Sequence, residues 1–404
     1  MEAGDVTIIG AGPAGIMAAI TASSNGRRVL LIDRNQQIGR KLLSTGNGRC
    51  NLANANLSID HYHGASPDFV ESVLKRFDQN AVVSFFQSLG LLLKEEEQGR
   101  IFPRTNQAAN VVEVLRRRLQ AGGVELALDA QVKSVQYSGG WKVDLIDGGN
   151  IAADDLIIAT GGRAAHQLGS TGDGLFWARK LGHSLTPIHA ALVAIETVQK
   201  WPGDLAGIKV QAKVRAVSGG REIGGSQGDL LFTTYGVSGP SVMALAGSVA
   251  KFLEIGEVEL HIDMFADMSR QELDAVFERA AAETLSGALV GVLPMPMIET
   301  VCRLAELNGS ERFKDLSDNQ RSRLIDTLTD LTPTVSKLRP FKEAQVTSGG
   351  VDCDEIDPAT MKSKLVDHLY FAGEVVDVDG DSGGYNLQWA WSSGHVAGGL
   401  GRKI

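Results

Sequence analysis

Near the start of the chain, residues 6–15 read Val6-Thr7-Ile8-Ile9-Gly10-Ala11-Gly12-Pro13-Ala14-Gly15. An apolar strand that runs directly into a Gly-x-Gly-x-x-Gly turn and then a helix is typical of a loop that binds the phosphates of a dinucleotide. In such a loop Gly10 permits the tight turn, Gly12 lets the backbone approach the pyrophosphate, and Gly15 allows the helix to pack closely on the strand. The amides at the start of the helix would then point at the negative phosphates.

A second apolar run, from Arg28 to Ile32, ends in Asp33. An acid about 20 residues beyond the first glycine can accept hydrogen bonds from a ribose diol, which suits an adenosine without a 2′-phosphate. The strand, the helix and this acid make the motif more specific than glycine spacing alone.

Composition indicates an ordinary globular protein: 404 residues, 43% hydrophobic and 22% charged, leave room for two or three domains. The first five residues are acidic where a secretory signal would be basic, and apolar stretches such as 288–297 fall short of the roughly 20 residues of a membrane helix. We therefore expect a cytoplasmic protein with no membrane association, and the sequence makes no obligate protein partner evident.

Cysteine, histidine and charge patterns exclude several classes of function. Cys50, Cys302 and Cys353 form no Cys-x-x-Cys pair, which disfavours dithiol redox chemistry. The histidines, His61 and His63 among them, show no metal-ligand spacing, so no metal site is predicted. A net charge of −9 gives no general attraction to polyanions, and acids interleave the arginines of segment 312–323, as on a solvated helix face.

The hydrophobic period changes along the chain. Residues 1–190 alternate strands and helices, 191–263 follow the period of two of half-buried antiparallel strands, and 264–330 are helical, with capping boxes at Ser269-x-x-Glu272 and Ser317-x-x-Gln320. After two prolines the α/β pattern returns and continues to the end. The prediction is a dinucleotide-binding domain (1–190 and 345–404), an inserted β-barrel-like domain (191–263 and 331–344) and a small helical subdomain (264–330).

Two later strands also run into turns of small residues. Segment 154–162 ends in Ala159-Thr160-Gly161-Gly162, a turn that can approach a dinucleotide without side-chain clash. Segment 369–374 is followed by Asp377, an acid able to hydrogen-bond a ribityl chain, and by a helix that begins near Asn386.

The start of that last helix indicates which dinucleotide is bound. Its free amides and positive dipole end would stabilise the negative charge of a reduced isoalloxazine. This favours FAD as the resident dinucleotide, with NADH or NADPH binding only transiently.

A run dense in glycine, cationic and hydrogen-bonding residues occupies positions 39–51. Together with segments 99–103, 169–174, 228–233 and 347–394, it resembles the family of FAD-dependent oxidoreductases that includes bile-acid ene-reductase-like flavoproteins and ribosomal RNA dihydrouridine synthases. The resemblance spans nearly the whole chain. It implies an α/β fold in which a Rossmann-like, glutathione-reductase-like FAD domain is split by an antiparallel β domain that carries a helical subdomain.

The resemblance also implies a reaction. NADH or NADPH would reduce FAD, and FAD N5 would pass hydride to a polarised C=C bond of a small conjugated substrate. The alternatives are reduction of uracil in 23S ribosomal RNA to dihydrouridine, and a flavin-dependent interaction protein without turnover.

Such a reduction needs a general acid. Cys50 is the first candidate, because an unperturbed thiol titrates near 8.5 and is protonated at neutral pH; a packing role beside the flavin is equally compatible. Tyr385 is the second candidate, with stacking near the ring as its alternative. Arg40, Lys41 and Arg49 would neutralise pyrophosphate or substrate charge, or form a solvated basic turn.

The predicted cofactor-binding residues come from both ends of the chain. They are Gly10, Gly12, Pro13, Ala14, Gly15, Asp33, Arg34, Arg40, Lys41, Ser44, Gly46, Asn47, Gly48, Asn51, Val132, Thr160, Gly161, Gly373, Glu374, Asp377, Gly384, Tyr385, Asn386 and Leu387.

Overall fold

The computed structural model describes residues 4–280 and 283–402. In chain order the strands are Gly4–Ile9 (β1), Val29–Ile32 (β2), Ala53–Asn54 (β3), Tyr62–Gly64 (β4), Leu93–Glu96 (β5), Arg100–Pro103 (β6), Glu125–Ala127 (β7), Val132–Tyr137 (β8), Trp141–Leu145 (β9), Asn150–Ile158 (β10), His189–Ala191 (β11), Ile195–Thr197 (β12), Lys209–Ser218 (β13), Arg221–Thr233 (β14), Gly236–Ser238 (β15), Val258–Asp263 (β16), Val335–Leu338 (β17), Val346–Ser348 (β18), Ile356–Asp357 (β19), Lys362–Ser363 (β20), Leu369–Phe371 (β21) and Val378–Gly380 (β22). The helices are Pro13–Ser24 (α1), Pro67–Leu74 (α2), Gln79–Ser88 (α3), Ala108–Ala121 (α4), Asp173–Lys180 (α5), Trp201–Asp204 (α6), Pro240–Met243 (α7), Ala246–Leu253 (α8), Arg270–Arg279 (α9), Leu285–Leu289 (α10), Met295–Leu304 (α11), Asp318–Thr329 (α12) and Tyr385–Gly398 (α13).

The described residues form two compact units. The first unit contains the residues up to His189 and those from Gln345 onward, and the second contains Ala190–Ala344. The assignment of these units to an FAD domain, an inserted β domain and a helical subdomain stays a proposal.

The first unit is built on a sheet with the order β19-β20-β21-β10-β1-β2-β7. From β21 to β7 the neighbouring strands are parallel, with Ile8 opposite both Ile157 and Leu31. Strands β2 and β21 and the last three residues of β10 are apolar and buried on both faces, as expected for the centre of a parallel sheet covered by helices. The hairpin of β8 and β9 pairs with the first half of β10. The predicted α/β, Rossmann-like fold class is confirmed.

Helices α1 and α13 pack directly against each other, although they lie at opposite ends of the chain. A Cβ at Gly394 would lie 2.3 Å from the Ala14 carbonyl oxygen, and one at Gly398 would lie 2.5 Å from that of Ala18. Only glycine allows backbones to approach this closely. This contact brings the first turn of α13 towards the edge where β1, β2, β10 and β21 end.

The second unit contains a six-stranded antiparallel sheet of order β16-β13-β14-β15-β12-β17. The amide of Ile262 donates to the Leu331 carbonyl, and the Leu331 amide donates to the Ile262 carbonyl. These bonds join β16 to the segment just before β17, so the two edges of the sheet meet. Along β13 the buried residues are Ala212, Val214 and Ala216, which confirms the period of two.

Local capping explains where helices begin. Both predicted capping boxes are present, Ser269 with Glu272 before α9 and Ser317 with Gln320 before α12. The apolar pattern of segment 69–90 predicts one helix, but the structure has two, because the Asp78 side chain accepts the Ala81 amide at 2.8 Å and starts a new helix, α3. No helix among the described residues is long and apolar enough to cross a membrane.

Candidate cofactor and active site

The phosphate loop lies between the ends of β1, β2 and β10. Gly10 has φ +107°, and a Cβ there would lie 2.4 Å from the Ala159 carbonyl oxygen. A Cβ at Gly15 would lie 1.8 Å from the Gly10 carbonyl oxygen, whereas one at Gly12 would meet no described atom within 4 Å. Gly10 and Gly15 are therefore required by packing, and Gly12 keeps the loop open. No side chain caps α1, which starts with Pro13 and Ala14 at its open end.

Asp33 follows β2 directly, and its side chain hydrogen-bonds the backbone of the phosphate loop. Its Oδ2 accepts the Ala11 amide at 2.6 Å, and its Oδ1 accepts the Asn35 amide at 2.8 Å. A carboxylate offers about four acceptor positions, so it retains capacity for a ribose hydroxyl.

A groove runs from the phosphate loop along the ends of the strands. Five predicted residues line it: Gly10, Asp33, Arg34, Val132 and Thr160. Arg34 pairs with Asp173 and donates to Thr171 Oγ1 at 2.8 Å across this groove. The next predicted residue, Gly161, has φ +72° at the turn after β10. The groove has the position and lining expected for an adenosine.

Lys41 and Glu374 join the two ends of the chain. Lys41 Nζ lies 2.7 Å from Glu374 Oε2, and the pair is largely buried. Glu374 Oε1 also accepts the Thr347 amide at 2.8 Å, and Thr347 Oγ1 accepts the amides of Arg163 and Ala164. Arg40 is exposed and donates to Asn35 Oδ1.

The start of α13 is held open by glycine. Gly384 has φ +109°, and a Cβ there would lie 2.5 Å from the Ala53 carbonyl oxygen. Asn386 bonds the backbone of Gly380 and Asp381 with its side chain, and Leu387 packs in the core. Gly373, in the turn after β21, has φ +77° and lies against Ala14. The helix thus presents its first turn beside the glycine loops.

Both candidate acids, Cys50 and Tyr385, are buried. The Cys50 side chain is fully buried, and burial raises the pKa of its thiol to about 12. Tyr385 stacks on His61, with the ring centres 4.1 Å apart, and burial raises the pKa of its phenol above the usual value. A buried thiol with a raised pKa favours the packing role of Cys50.

The remaining predicted residues are spread along two segments. Ser44, Gly46, Asn47 and Gly48 lie on an exposed turn that leads to Asn51. Asp377 lies in the segment before β22, where its carbonyl accepts the Ala65 amide.

The described side chains fit a flavin dinucleotide. Gly12 offers the open backbone that a pyrophosphate needs, Asp33 offers ribose acceptors, and the first turn of α13 offers amides. In addition, Asn51 Oδ1 is buried and has no hydrogen-bond partner among the described residues. A buried acceptor without a partner is costly, and a ring N–H of a bound flavin would satisfy it.

Sequence reasoning did not single out three groups at this site. These are Thr347, the buried Asn54, whose side chain donates to the carbonyls of Gln98 and Gly383, and the pair His61 and Asp381. Each bonds a partner far away in the sequence. Thr347 and Asp381 lie within segment 347–394, but nothing in the sequence assigned a role to either of them.

Known proteins resemble this chain along nearly its full length. Residues 4–400 match the family described as HI0933-like protein Rossmann domain. The 3-dehydro-bile acid delta(4,6)-reductase of Clostridium scindens is 36% identical over 401 residues, 97% of this chain and 98% of that protein. The ribosomal RNA dihydrouridine synthase of Escherichia coli is 34% identical over 97% of this chain and 96% of its own. That of Haemophilus influenzae is 31% identical over 96% of each chain.

One solved structure shares the fold throughout. The 3-ketosteroid delta1-dehydrogenase from Sterolibacterium denitrificans has a TM-score of 0.51 at 13% identity, covering 98% of this chain and 99% of its own. The fold and the site define a flavoprotein oxidoreductase with a Rossmann-like domain. Within that class, the chain belongs to the HI0933-like Rossmann-domain family.

Proposed function

We propose that this protein uses NADH or NADPH and bound FAD to reduce a polarised C=C bond in a small conjugated substrate. The observation that carries the proposal is the 36% identity to a bile-acid delta(4,6)-reductase over 97% of this chain. The residues of the first unit that fit a flavin support the same reading.

Bound FAD would supply hydride from its reduced ring. The loop of Gly10, Gly12 and Gly15 with the start of α1 would hold the pyrophosphate, and Asp33 would hold the adenosine ribose. The first turn of α13 would face the negative charge that develops on the reduced ring. The nicotinamide cofactor would bind transiently, and we propose that the reaction takes place in the cytoplasm.

Reduction of uracil in ribosomal RNA is the second candidate function, and the two dihydrouridine synthases among the relatives favour it. Binding of RNA depends on cations that are free to meet phosphates. Three arginines of the arginine-rich segments 116–118 and 312–323 are paired within the protein: Arg116 with Glu113, Arg321 with Glu278, and Arg323 with Glu306. With the net charge of −9, these pairs favour the small substrate.

An anaerobic experiment tests the proposal. The purified yellow protein is reduced with NADH or NADPH and then mixed with testosterone, a conjugated enone, or with unmodified 23S ribosomal RNA. We expect rapid flavin reoxidation by the enone. Reoxidation by the RNA alone would favour the second function, and reoxidation by neither would contradict both and leave an interaction role.

A further inference from the structure

A histidine and a carboxylate meet beside the first turn of α13. His61 Nδ1 lies 2.9 Å from Asp381 Oδ2, although the residues are 320 positions apart. The His61 ring stacks on Tyr385, the first residue of α13, at 4.1 Å between ring centres and 22° between planes. His61 therefore packs directly against the first residue of α13, the helix whose start we assign to the flavin ring.

The backbone holds this pair rigidly. Strand β4, which follows His61, pairs with β22, which precedes Asp381. The Asp381 amide donates to the His61 carbonyl at 2.9 Å, and Asn386 Nδ2 donates to the Asp381 carbonyl at 3.2 Å. His61 and Asp381 are thus joined through both backbone and side chains, and Asn386 ties them to α13.

The electrostatics suit a proton donor. Burial opposes ionisation of Asp381, but hydrogen bonds from His63 and His61 outweigh it and hold the pKa of the carboxyl below its ordinary value. An ionised carboxylate hydrogen-bonded to Nδ1 fixes the orientation of an imidazole ring. Because His61 Nδ1 bonds Asp381, Nε2 is the nitrogen that can donate a proton to a substrate. The His61 side chain is 37% exposed, so solvent can protonate it again after each turnover.

Two neighbouring groups are less suited to that task. The Cys50 thiol is fully buried. His63 also bonds Asp381, at 2.9 Å, but it does so through Nε2, and the ring that stacks on the first residue of α13 is that of His61.

We propose that His61 is the proton donor of the reduction, with Asp381 and Tyr385 as its positioning residues. This inference rests on the proposed function. The bound cofactor would supply hydride for the new C–H bond at the β-carbon, and the π electrons of the C=C bond would move towards the α-carbon and carbonyl. The proton of protonated His61 Nε2 then forms the C–H bond at the α-carbon, which leaves a saturated ketone and a neutral imidazole.

The kinetic test separates the two half-reactions. His61→Ala should leave FAD content and the rate of reduction by NADH or NADPH within about threefold, and slow reoxidation by testosterone about 100-fold or more, the usual effect of losing a general acid. Added imidazole should restore part of the rate. Asp381→Asn should slow the same step by about tenfold, a smaller loss because the donor itself remains.

The chain offers a matched control. His368 Nδ1 lies 2.9 Å from Asp155 Oδ1, a pair of the same geometry. Asp155 stands on the sheet three residues before the end of β10. His368→Gln should leave both half-reactions unchanged. The inference is wrong if the rate of flavin reoxidation in His61→Ala stays within threefold of the rate in the unaltered protein. It is also wrong if, of the two histidine variants, only His63→Gln abolishes reoxidation. If the unaltered protein is not reoxidised at all, the proposed function fails instead.

A second readout needs no turnover. In ¹⁵N-labelled protein the imidazole signals of His61 should shift when FAD is added to the apoprotein, and those of His368 should not. His61 signals that do not respond to FAD would contradict its place beside the ring.

Discussion

At the scale of single residues, the glycines of the phosphate loop separate folding from binding. We predict that Gly15→Ala lowers the melting temperature of the apoprotein markedly, because its Cβ would lie 1.8 Å from the Gly10 carbonyl oxygen. Gly12→Ala should leave that temperature within about 2 °C and weaken FAD affinity about tenfold or more, because its Cβ points into the open loop. Calorimetry measures the melting temperature and fluorescence titration measures the FAD affinity. If Gly12→Ala binds FAD as tightly as the unaltered protein, the pyrophosphate does not bind at this loop.

Cys50 gives a second prediction at the same scale. Cys50→Ala should leave flavin reduction and enone reoxidation within about threefold, because the thiol is fully buried and its pKa is raised to about 12. The lost packing should reduce the free energy of unfolding by about 1 kcal/mol. A reoxidation rate about 100-fold lower, with normal flavin reduction, would instead make Cys50 the acid.

Individual residue roles were predictable only where they are local in sequence. The roles of Gly10 and Gly15 in the turn and in helix packing follow from their spacing. In the structure both glycines make the close backbone contacts that this spacing implies. The bonds of Lys41 to Glu374 and of His61 to Asp381 join residues more than 300 positions apart. The hydrophobic pattern of the sequence cannot predict such distant pairs.

At the scale of elements, the crossing of α1 and α13 depends on the glycines of α13. Gly394→Ala should lower the free energy of unfolding by about 2–3 kcal/mol, because its Cβ would meet the backbone of Ala14 at 2.3 Å. Gly287→Ala on α10 is the matched control, since its nearest neighbours are side-chain atoms at 3.2 Å and beyond. Urea unfolding measures both; equal effects would show that the close crossing is not needed for stability.

His395, also on α13, should make stability depend on pH. Burial lowers its pKa to about 4, and its ring stacks on Phe77 while Nδ1 contacts Thr21 Oγ1. The unfolded chain takes up this proton near pH 6.5 and the folded chain only near pH 4, so stability is lost as the pH falls between these values. At pH 5 the loss should be about 2 kcal/mol.

Urea unfolding at pH 7 and pH 5 checks this expectation. His395→Gln should be less stable at pH 7 and should lack this share of the pH dependence. An unchanged difference between the two pH values in the variant would contradict the assignment.

Elements were predictable where a period or a cap is strong. The alternation along β13 and β16 and the two capping boxes lie in the sequence itself. The pattern did not predict the split of segment 69–90, because apolar residues continue on both sides of Asp78. The new helix is set by a single side chain, that of Asp78, which caps the start of α3.

At the scale of the whole molecule, the first unit is assembled from both ends of the chain, and the sheet and the helix pair α1 and α13 hold them together. The sequence indicated this arrangement because the glycine loop and the last helix both carry cofactor signals. The contact of His61 with Tyr385, on which the proposed proton donor depends, was not predictable, because only the folded chain brings the two residues together.

The central claim is that this unit holds FAD, and quantifying flavin in the purified protein tests it most directly. The protein is denatured, released flavin is identified by chromatography, and apoprotein is titrated with FAD. We predict one FAD per chain, and recovery of the yellow complex from the apoprotein. A colourless protein that does not take up FAD would contradict the account.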